Sequence, residues 1–167
     1  KPENRHLLKK LHRQVIPLCK RILSIYPDHQ EASYNLGISH YHVGDFNAAE
    51  KAFLEHLERH PDDVKTYNNL AELYYFRKDY QTALKFFHKF VEANPDDARA
   101  VNNLGVIRLD NLRRPREAIP FFERAIKLDP EFAEPHMKKG NALLMLGKPR
   151  LAVAAYRRAI ELAPDKM

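Results

Sequence analysis

The chain is short of the residues that define several protein classes. It has one cysteine, Cys19, and no tryptophan among its 167 residues. A single cysteine excludes an intrachain disulfide framework and any zinc site built from several thiolates. Only five glycines are present, few for a fold that cradles phosphate on glycine-rich loops. No apolar run approaches the roughly 20 residues of a membrane-spanning helix, so we expect no direct membrane insertion.

The residues that are present repeat at a fixed interval. Hydrophobic residues make up 44% of the chain and charged residues 30%, a composition that excludes a disordered tail. Five of the 11 prolines are spaced by 34, 34, 35 and 34 residues, and these are Pro27, Pro61, Pro95, Pro130 and Pro164. Self-similarity at a constant period predicts a repeat architecture instead of one globular core.

Three further columns keep the same spacing, and they indicate two helices per period. The columns are Val15, Ala49, Ala83, Ala118 and Ala152; Cys19, Phe53, Phe87, Phe122 and Tyr156; and Gly37, Ala71, Gly105 and Gly140. Within a period, apolar residues recur at steps of three and four, and a turn such as Gly44-Asp45 separates two such stretches. The periodic proline then prevents the second helix from continuing. The small column lets the two helices approach closely.

Aspartates follow several of the periodic prolines. They are Asp28, Asp62, Asp63, Asp96 and Asp97. A carboxylate at the start of a helix accepts hydrogen bonds from free N–H groups and suits the helix dipole. We expect these aspartates to cap the first helix of the following period.

The repeated residues resemble the tetratricopeptide repeat. The resemblance is carried by Tyr34-Asn35-Leu36-Gly37, Gly44-Asp45-Phe46, Ala49, Phe53 and Pro61, and by the equivalent residues of the next three periods. It predicts a partial N-terminal repeat over 1–29, then four repeats over 30–63, 64–97, 98–132 and 133–167. The third repeat has 35 residues, and we place its extra residue in the inter-helix turn, near Leu112 to Arg116.

The resemblance implies an all-α, right-handed superhelical solenoid of antiparallel helix pairs. In that family the first helix of each pair lines a concave groove that binds a peptide or a partner protein. Projection of the first helices gives the groove-facing candidates Tyr34, Asn35, Tyr41, Lys65, Asn68, Asn69, Tyr75, Arg99, Asn102, Asn103, Lys138 and Asn141. Of these, Lys65, Arg99 and Lys138 suit acidic groups of a ligand. Tyr34, Tyr41 and Tyr75 suit stacking.

Asn35, Asn69 and Asn103 form a column that can bind peptide backbone. A carboxamide donates and accepts hydrogen bonds at once. Packed helices about 8 to 10 Å apart would meet an extended peptide, which rises about 3.3 Å per residue, at every third residue. The column resembles the asparagine ladder of O-linked N-acetylglucosamine transferases. The alternative is that asparagine is simply frequent there in the family.

The other known groove of the family is the carboxylate clamp for acidic chaperone tails, and it fits this sequence poorly. Asn69 and Arg99 match the clamp. Tyr34, Ile38 and Asn103 stand where it needs basic or amide residues in another order. We therefore expect a partner that is extended, acidic or both, but we do not expect a chaperone tail held by the carboxylate clamp.

Charge is uneven along the chain. Residues 1–29 carry +5, residues 30–97 carry −5 and residues 98–167 carry +6. A basic balance invites a nucleic-acid interpretation, but many of the lysines and arginines fall on second helices, which face solvent in this fold, so nucleic acid is not expected. The densest basic cluster is the turn Arg113-Arg114-Pro115-Arg116, which could dock an acidic partner.

Searches for catalytic and metal motifs find no complete pattern. Gly140 and Gly147-Lys148 are too far apart for a phosphate loop, which also needs Ser or Thr where Pro149 stands. His56 and His60 share a helix face, but Leu57 replaces the glutamate of a zinc protease motif. Cys19 lies in the aromatic core column, which predicts a buried thiol. We therefore expect a protein without a cofactor or metal that is not an enzyme.

Two other interpretations stay open from the sequence. The last helix is apolar on more than one side, so the terminal helices could join copies of the chain in a self-assembling scaffold. The chain could also be the substrate-recruiting region of a larger enzyme, such as a protein like the O-linked N-acetylglucosamine transferases. The sequence assigns no compartment; the cytoplasm is the default and the periplasm is possible.

Overall fold

The computed structural model describes residues 2–164, with side chains from residue 6 onward. Its α-helices are α1 Pro2–Ile25, α2 Gln30–Val43, α3 Phe46–Arg59, α4 Val64–Phe76, α5 Tyr80–Ala93, α6 Ala98–Val106, α7 Pro115–Leu128, α8 Ala133–Met145 and α9 Pro149–Leu162. A π-helix, Ile107–Asn111, continues α6. The part described contains no strand and no helix long and apolar enough to cross a membrane.

The helices form two compact units. The first ends at Asp79 and contains α1 to α4, and the second begins at Tyr80 and contains α5 to α9 with the π-helix. Helices α2, α4, α6 and α8 are the first helices of the four periods, and α3, α5, α7 and α9 are the second helices. In the first unit Cys19 of α1 is buried, as predicted, and burial raises the pKa of its thiol.

Each helix pair within a unit is closed by a ring that lies on a glycine. A methyl group placed on Gly37 of α2 would lie 2.4 Å from the ring of Phe53 on α3. In the second unit a methyl on Gly105 would lie 2.6 Å from the ring of Phe122. Gly140 and Tyr156 repeat this arrangement between α8 and α9. The small column is therefore the surface on which the aromatic column packs.

The aspartates cap helices in part. Asp97 accepts hydrogen bonds at 3.0 Å from two backbone N–H groups at the start of α6. Asp63 stands at the start of α4 but makes no capping bond, because its carboxylate instead contacts His56 and Thr66. At α2 the cap is His29 and not Asp28, with Nδ1 accepting from the backbone N–H of Ala32 at 3.3 Å.

The extra residue of the third repeat lies in the π-helix, so its predicted place in the inter-helix turn is wrong. In all four turns the residue with positive φ, which is Gly44, Lys78, Arg113 or Gly147, stands two positions before the next helix. The spacing from this residue to the next helix is therefore the same in all four turns, and the extra residue of the third repeat comes before it. A π-helix has i→i+5 hydrogen bonds, and here the N–H of Leu112 donates to the carbonyl of Ile107 at 3.1 Å.

Burial identifies Arg108 as the added residue. Ile107 is buried and lies 34 residues after buried Leu73, whereas buried Leu109 lies 34 residues before buried Leu143. Arg108 lies between these two residues and has no equivalent in either neighbouring repeat. Its guanidinium lies 4.2 Å from the ring centroid of Phe121 and donates to the carbonyl of Leu104 at 3.0 Å.

We expect Gly105→Ala to lower the free energy of unfolding by about 1 to 2 kcal/mol. The methyl group would overpack the contact with Phe122, which costs about 1 to 3 kcal/mol, and the higher helix propensity of alanine returns at most about 1 kcal/mol. Urea denaturation measures the change. A second variant, Gly105→Ala with Phe122→Leu, should lose less stability than the sum of its single changes. Additive losses would contradict the ring-on-glycine contact.

We expect deletion of Arg108 to convert the π-helix into α-helix and to shift Tm by no more than about 4 °C, or about 1 kcal/mol for a chain of this size. The matched control is deletion of Leu144, an exposed residue of α8. Deletion of Leu144 would rotate the residues that follow it by about 100° about the helix axis. The Tm of this variant should therefore fall at least twice as far as the Tm of the Arg108 deletion. Thermal unfolding followed by circular dichroism compares the two. Equal losses would show that the π-helix does not hold the insertion.

Candidate functional site

A cleft of about 270 Å³ opens in the first unit, beside the N-terminal halves of α2 and α4. We name it the Tyr34 cleft, and it is lined by Gln30, Glu31, Tyr34, His56, Asp63 and Lys65. Two of these, Tyr34 and Lys65, are predicted site residues. Lys65 is exposed and makes no ion pair within the described part of the chain, so its ammonium group can meet an anionic group of a ligand.

Asn69 joins the cleft through Tyr34. Its Nδ2 donates to the hydroxyl of Tyr34 at 3.1 Å, linking α4 to α2. The ring of Tyr34 also packs against Phe53 and His56, with ring centroids 6.4 Å and 5.9 Å away. The hydrogen bond fixes the orientation of the Asn69 carboxamide, and the carbonyl oxygen keeps its capacity to accept.

A buried polar network forms the floor of the cleft. His56 is fully buried, with Nδ1 2.7 Å from the hydroxyl of Ser33 and Nε2 3.1 Å from Oδ2 of Asp63. An ionised carboxylate only accepts hydrogen bonds. In the neutral ring Nε2–H therefore donates to Asp63, and Nδ1 accepts from Ser33. Burial lowers the pKa of His56, although the charge and hydrogen bond of Asp63 oppose the shift.

The other predicted residues of the first unit lie in different surroundings. Asn35 is exposed on α2. Asn68 is partly buried and donates to the carboxylate of Glu72 on its own helix at 3.0 Å. Tyr75 is 42% exposed. Tyr41 lines a second cleft together with Leu8, Lys9, His42, Gly44, Phe46 and Phe76, so it does not join Tyr34. Burial, with the charge of Glu72, raises the pKa of Tyr41.

In the second unit the predicted residues are also divided. Arg99 and Asn103 are exposed on α6. Lys138 forms an ion pair with Asp110 of the π-helix, which neutralises its charge. Asn141 accepts a hydrogen bond from the hydroxyl of Tyr156 at 2.7 Å.

Asn102 is a predicted groove residue that the structure places in the interior. It is only 1% exposed, and neither polar atom of its side chain has a hydrogen-bond partner among the described residues. A buried side chain cannot contact a ligand in an open groove. Its assignment to the binding face is therefore wrong. The equivalent residue of the second period, Asn68, is partly exposed, so burial differs within one column.

Comparison with known families decides the classification. Models of the tetratricopeptide repeat match residues 29–94 and residues 106–166. The chain belongs to the tetratricopeptide repeat family. Tetratricopeptide repeat proteins bind protein partners, so this chain has the fold of a protein-interaction scaffold, and the predicted all-α solenoid of helix pairs is confirmed.

Solved structures of tetratricopeptide repeat proteins share this fold. MamA is 22% identical with a TM-score of 0.77, over 90% of this chain and 88% of MamA. MamA from Desulfovibrio magneticus RS-1 is 23% identical with a TM-score of 0.72, over 95% and 97% of the two chains. YrrB, described as a TPR protein with an unusual peptide-binding site, is 20% identical with a TM-score of 0.78, over 98% and 84%. No curated protein sequence matches the chain.

The sequence of this tetratricopeptide repeat protein did not lead us to predict the polar network under the Tyr34 cleft. His56 occupies the column that holds Ala125 and Ala159 in later repeats, a position that suits a small side chain. The structure instead satisfies the imidazole with Ser33 and Asp63. The available signal was the coincidence of a histidine in a small-residue column with an aspartate seven residues later.

We expect the stability of the chain to fall as pH falls below 6.5. Burial lowers the pKa of five histidines from 6.5, and these are His12, His40, His56, His88 and His136. The unfolded chain then binds more protons than the native chain below that pH, so their contribution is complete above pH 6.5 and is lost as pH decreases. Urea denaturation at about pH 7.5 and about pH 5.5 measures the difference.

The variant His56→Ala isolates one member of this set. It should be less stable at neutral pH, because a buried side chain and two hydrogen bonds are lost, and its stability should depend less on pH than that of the wild type. An unchanged pH dependence would show that His56 does not contribute to the effect.

Proposed function

We propose that the chain binds an extended segment of a partner protein on its first helices, with carboxamides contacting the peptide backbone. The observation that carries this proposal is the position of Asn69. Its carboxamide is oriented by Tyr34 at a cleft that also presents the exposed amine of Lys65. An oriented carboxamide loses little conformational entropy on binding, which favours affinity.

Backbone recognition follows from the chemistry of the carboxamide groups on the first helices. In the first unit Asn35 and Asn69 offer acceptors and donors that match peptide N–H and carbonyl groups. In the second unit Asn103 provides the same groups, with the exposed guanidinium of Arg99 on the same helix. Lys65 and Arg99 favour a peptide with acidic side chains, because neither forms an ion pair within the residues described.

We further propose that the chain acts without catalysis of its own. Ser33, His56 and Asp63 have the residue types of a hydrolase triad, but their arrangement differs. In that triad the aspartate binds Nδ1 and the serine binds Nε2, whereas here Nδ1 faces Ser33 and Nε2 faces Asp63. Ser33 is also buried, and its hydroxyl lies 2.9 Å from the carbonyl of Gln30. These contacts support a structural role.

The proposal is tested with a peptide selected by the purified chain from a random library. We expect Asn35→Ala combined with Asn69→Ala to weaken binding at least about tenfold, a loss of about 1.4 kcal/mol. Methylation of backbone nitrogens along the peptide should weaken binding more than alanine substitution of its side chains, because the carboxamides contact the backbone. Fluorescence anisotropy measures both effects.

The matched control is Asn47→Ala, which removes an exposed carboxamide from the second helix α3. It should leave the affinity unchanged. Failure to select any peptide would contradict the proposal, as would affinity that depends on peptide side chains alone. Circular dichroism of each variant shows whether the helices are retained.

A further inference from the structure

Helix α1 exposes a stripe of large apolar side chains. The stripe consists of Leu7, Leu11, Leu18, Ile22 and Ile25, which are 56%, 50%, 60%, 38% and 61% exposed. Their spacing of four, seven, four and three residues places them on one face of the helix. A contiguous apolar face of this kind marks an interaction surface more often than scattered apolar residues do.

Helix α1 packs on α2 with a different side from the one that carries the stripe. Cys19 is buried, and the ring of His12 stacks on His42 of α2 with centroids 4.4 Å apart. Nδ1 of His12 also lies 3.1 Å from the hydroxyl of Ser39. These residues define the side of α1 that packs on α2. The stripe lies on another side and remains open to solvent.

Basic side chains accompany the stripe. Residues 4–27 include six lysines and arginines and no aspartate or glutamate. We call Lys10 and Arg21 the basic rim; both are exposed, and neither forms an ion pair with another described residue. Lys10 follows Leu7 by three residues and Arg21 follows Leu18 by three, so both flank the stripe on the helix surface.

We propose that the stripe and the basic rim of α1 bind an acidic amphipathic helix of a partner protein. A helix that lays its apolar face on a hydrophobic surface contacts it at i, i+3, i+4 and i+7, which is the spacing of the stripe. Carboxylates along the edge of the partner helix would face the basic rim. Complementary charge of this kind selects the partner and speeds association.

A second copy of the chain fits this surface less well. Two α1 helices would bring their basic rims together. The exposed apolar residues of α9, among them Leu151 and Ile160, are accompanied by Arg150 and Arg157, so that pairing also brings like charges together. An anionic membrane is disfavoured as well, because residues 30–79 of the same unit hold nine aspartates and glutamates against five lysines and arginines.

The test uses two designed helical peptides with the same leucine positions, one with glutamate and one with lysine at the remaining positions. We expect the glutamate peptide to bind at least about tenfold more tightly, and its affinity to fall as salt is raised, because exposed charges are screened. Anisotropy titrations of the whole chain give both dissociation constants.

Two variants separate the apolar and charged contributions. The double variant Leu11→Ser, Leu18→Ser should bind the glutamate peptide at least about tenfold more weakly. The control variant Leu144→Ser, Leu151→Ser removes exposed leucines from α8 and α9 and should keep the wild-type affinity. Lys10→Glu with Arg21→Glu should reverse the preference toward the lysine peptide. Circular dichroism and Tm confirm that each variant is folded. The Asn35→Ala, Asn69→Ala variant should bind the glutamate peptide normally, which distinguishes this surface from the Tyr34 cleft.

Several results would overturn the proposal. Equal binding of the two peptides would remove the role of charge, and full binding by the Leu11, Leu18 variant would remove the role of the stripe. Stronger binding to phosphatidylserine vesicles than to the glutamate peptide would assign the surface to a membrane. Self-association in sedimentation that the Leu11, Leu18 variant abolishes would assign it to a second copy.

Discussion

The packing of an aromatic ring against a glycine is the contact on which each helix pair within a unit depends. Phe53 and Phe122 are fully buried, and both lie where a β-carbon of the facing glycine would stand. Such a contact brings two backbones close together and fixes the rotation of each helix about its axis. The remaining faces of the helices are then determined, including those that present Asn35 and Asn103 to solvent.

Polar groups complete the first unit where apolar packing is interrupted. His56 is accommodated in a small-residue column because Ser33 and Asp63 satisfy both ring nitrogens. The same network lies under Tyr34, which in turn orients Asn69. The side chains proposed to contact a ligand are thus supported by buried neighbours, an arrangement that holds a binding group in place before the ligand arrives.

The sequence predicted the helices and their pairing well because a fixed period repeats the same contacts. The columns of Phe53 and Gly37 describe a single packing solution, so one repeat explains the others. Prediction failed where a residue depends on neighbours that the period does not describe. Asn102 shares a column with Asn68 but is buried, and Asp63 leaves its capping position for His56. Whether a given side chain of a first helix reaches solvent therefore needed the structure, whereas the helix on which it lies could be predicted from the sequence.

The π-helix has a consequence for how such arrays change during evolution. A codon inserted within an α-helix normally turns every later side chain away from its partner, and selection removes it. Here the irregular hydrogen bonding is confined to five residues, and the guanidinium of Arg108 contacts a carbonyl and an aromatic ring. A helix of a tandem array can thus gain one residue while its neighbours keep their ancestral pairing. Later duplications of this stretch would also copy the π-helix, and repeats that share it could be recognised as copies of one ancestral repeat.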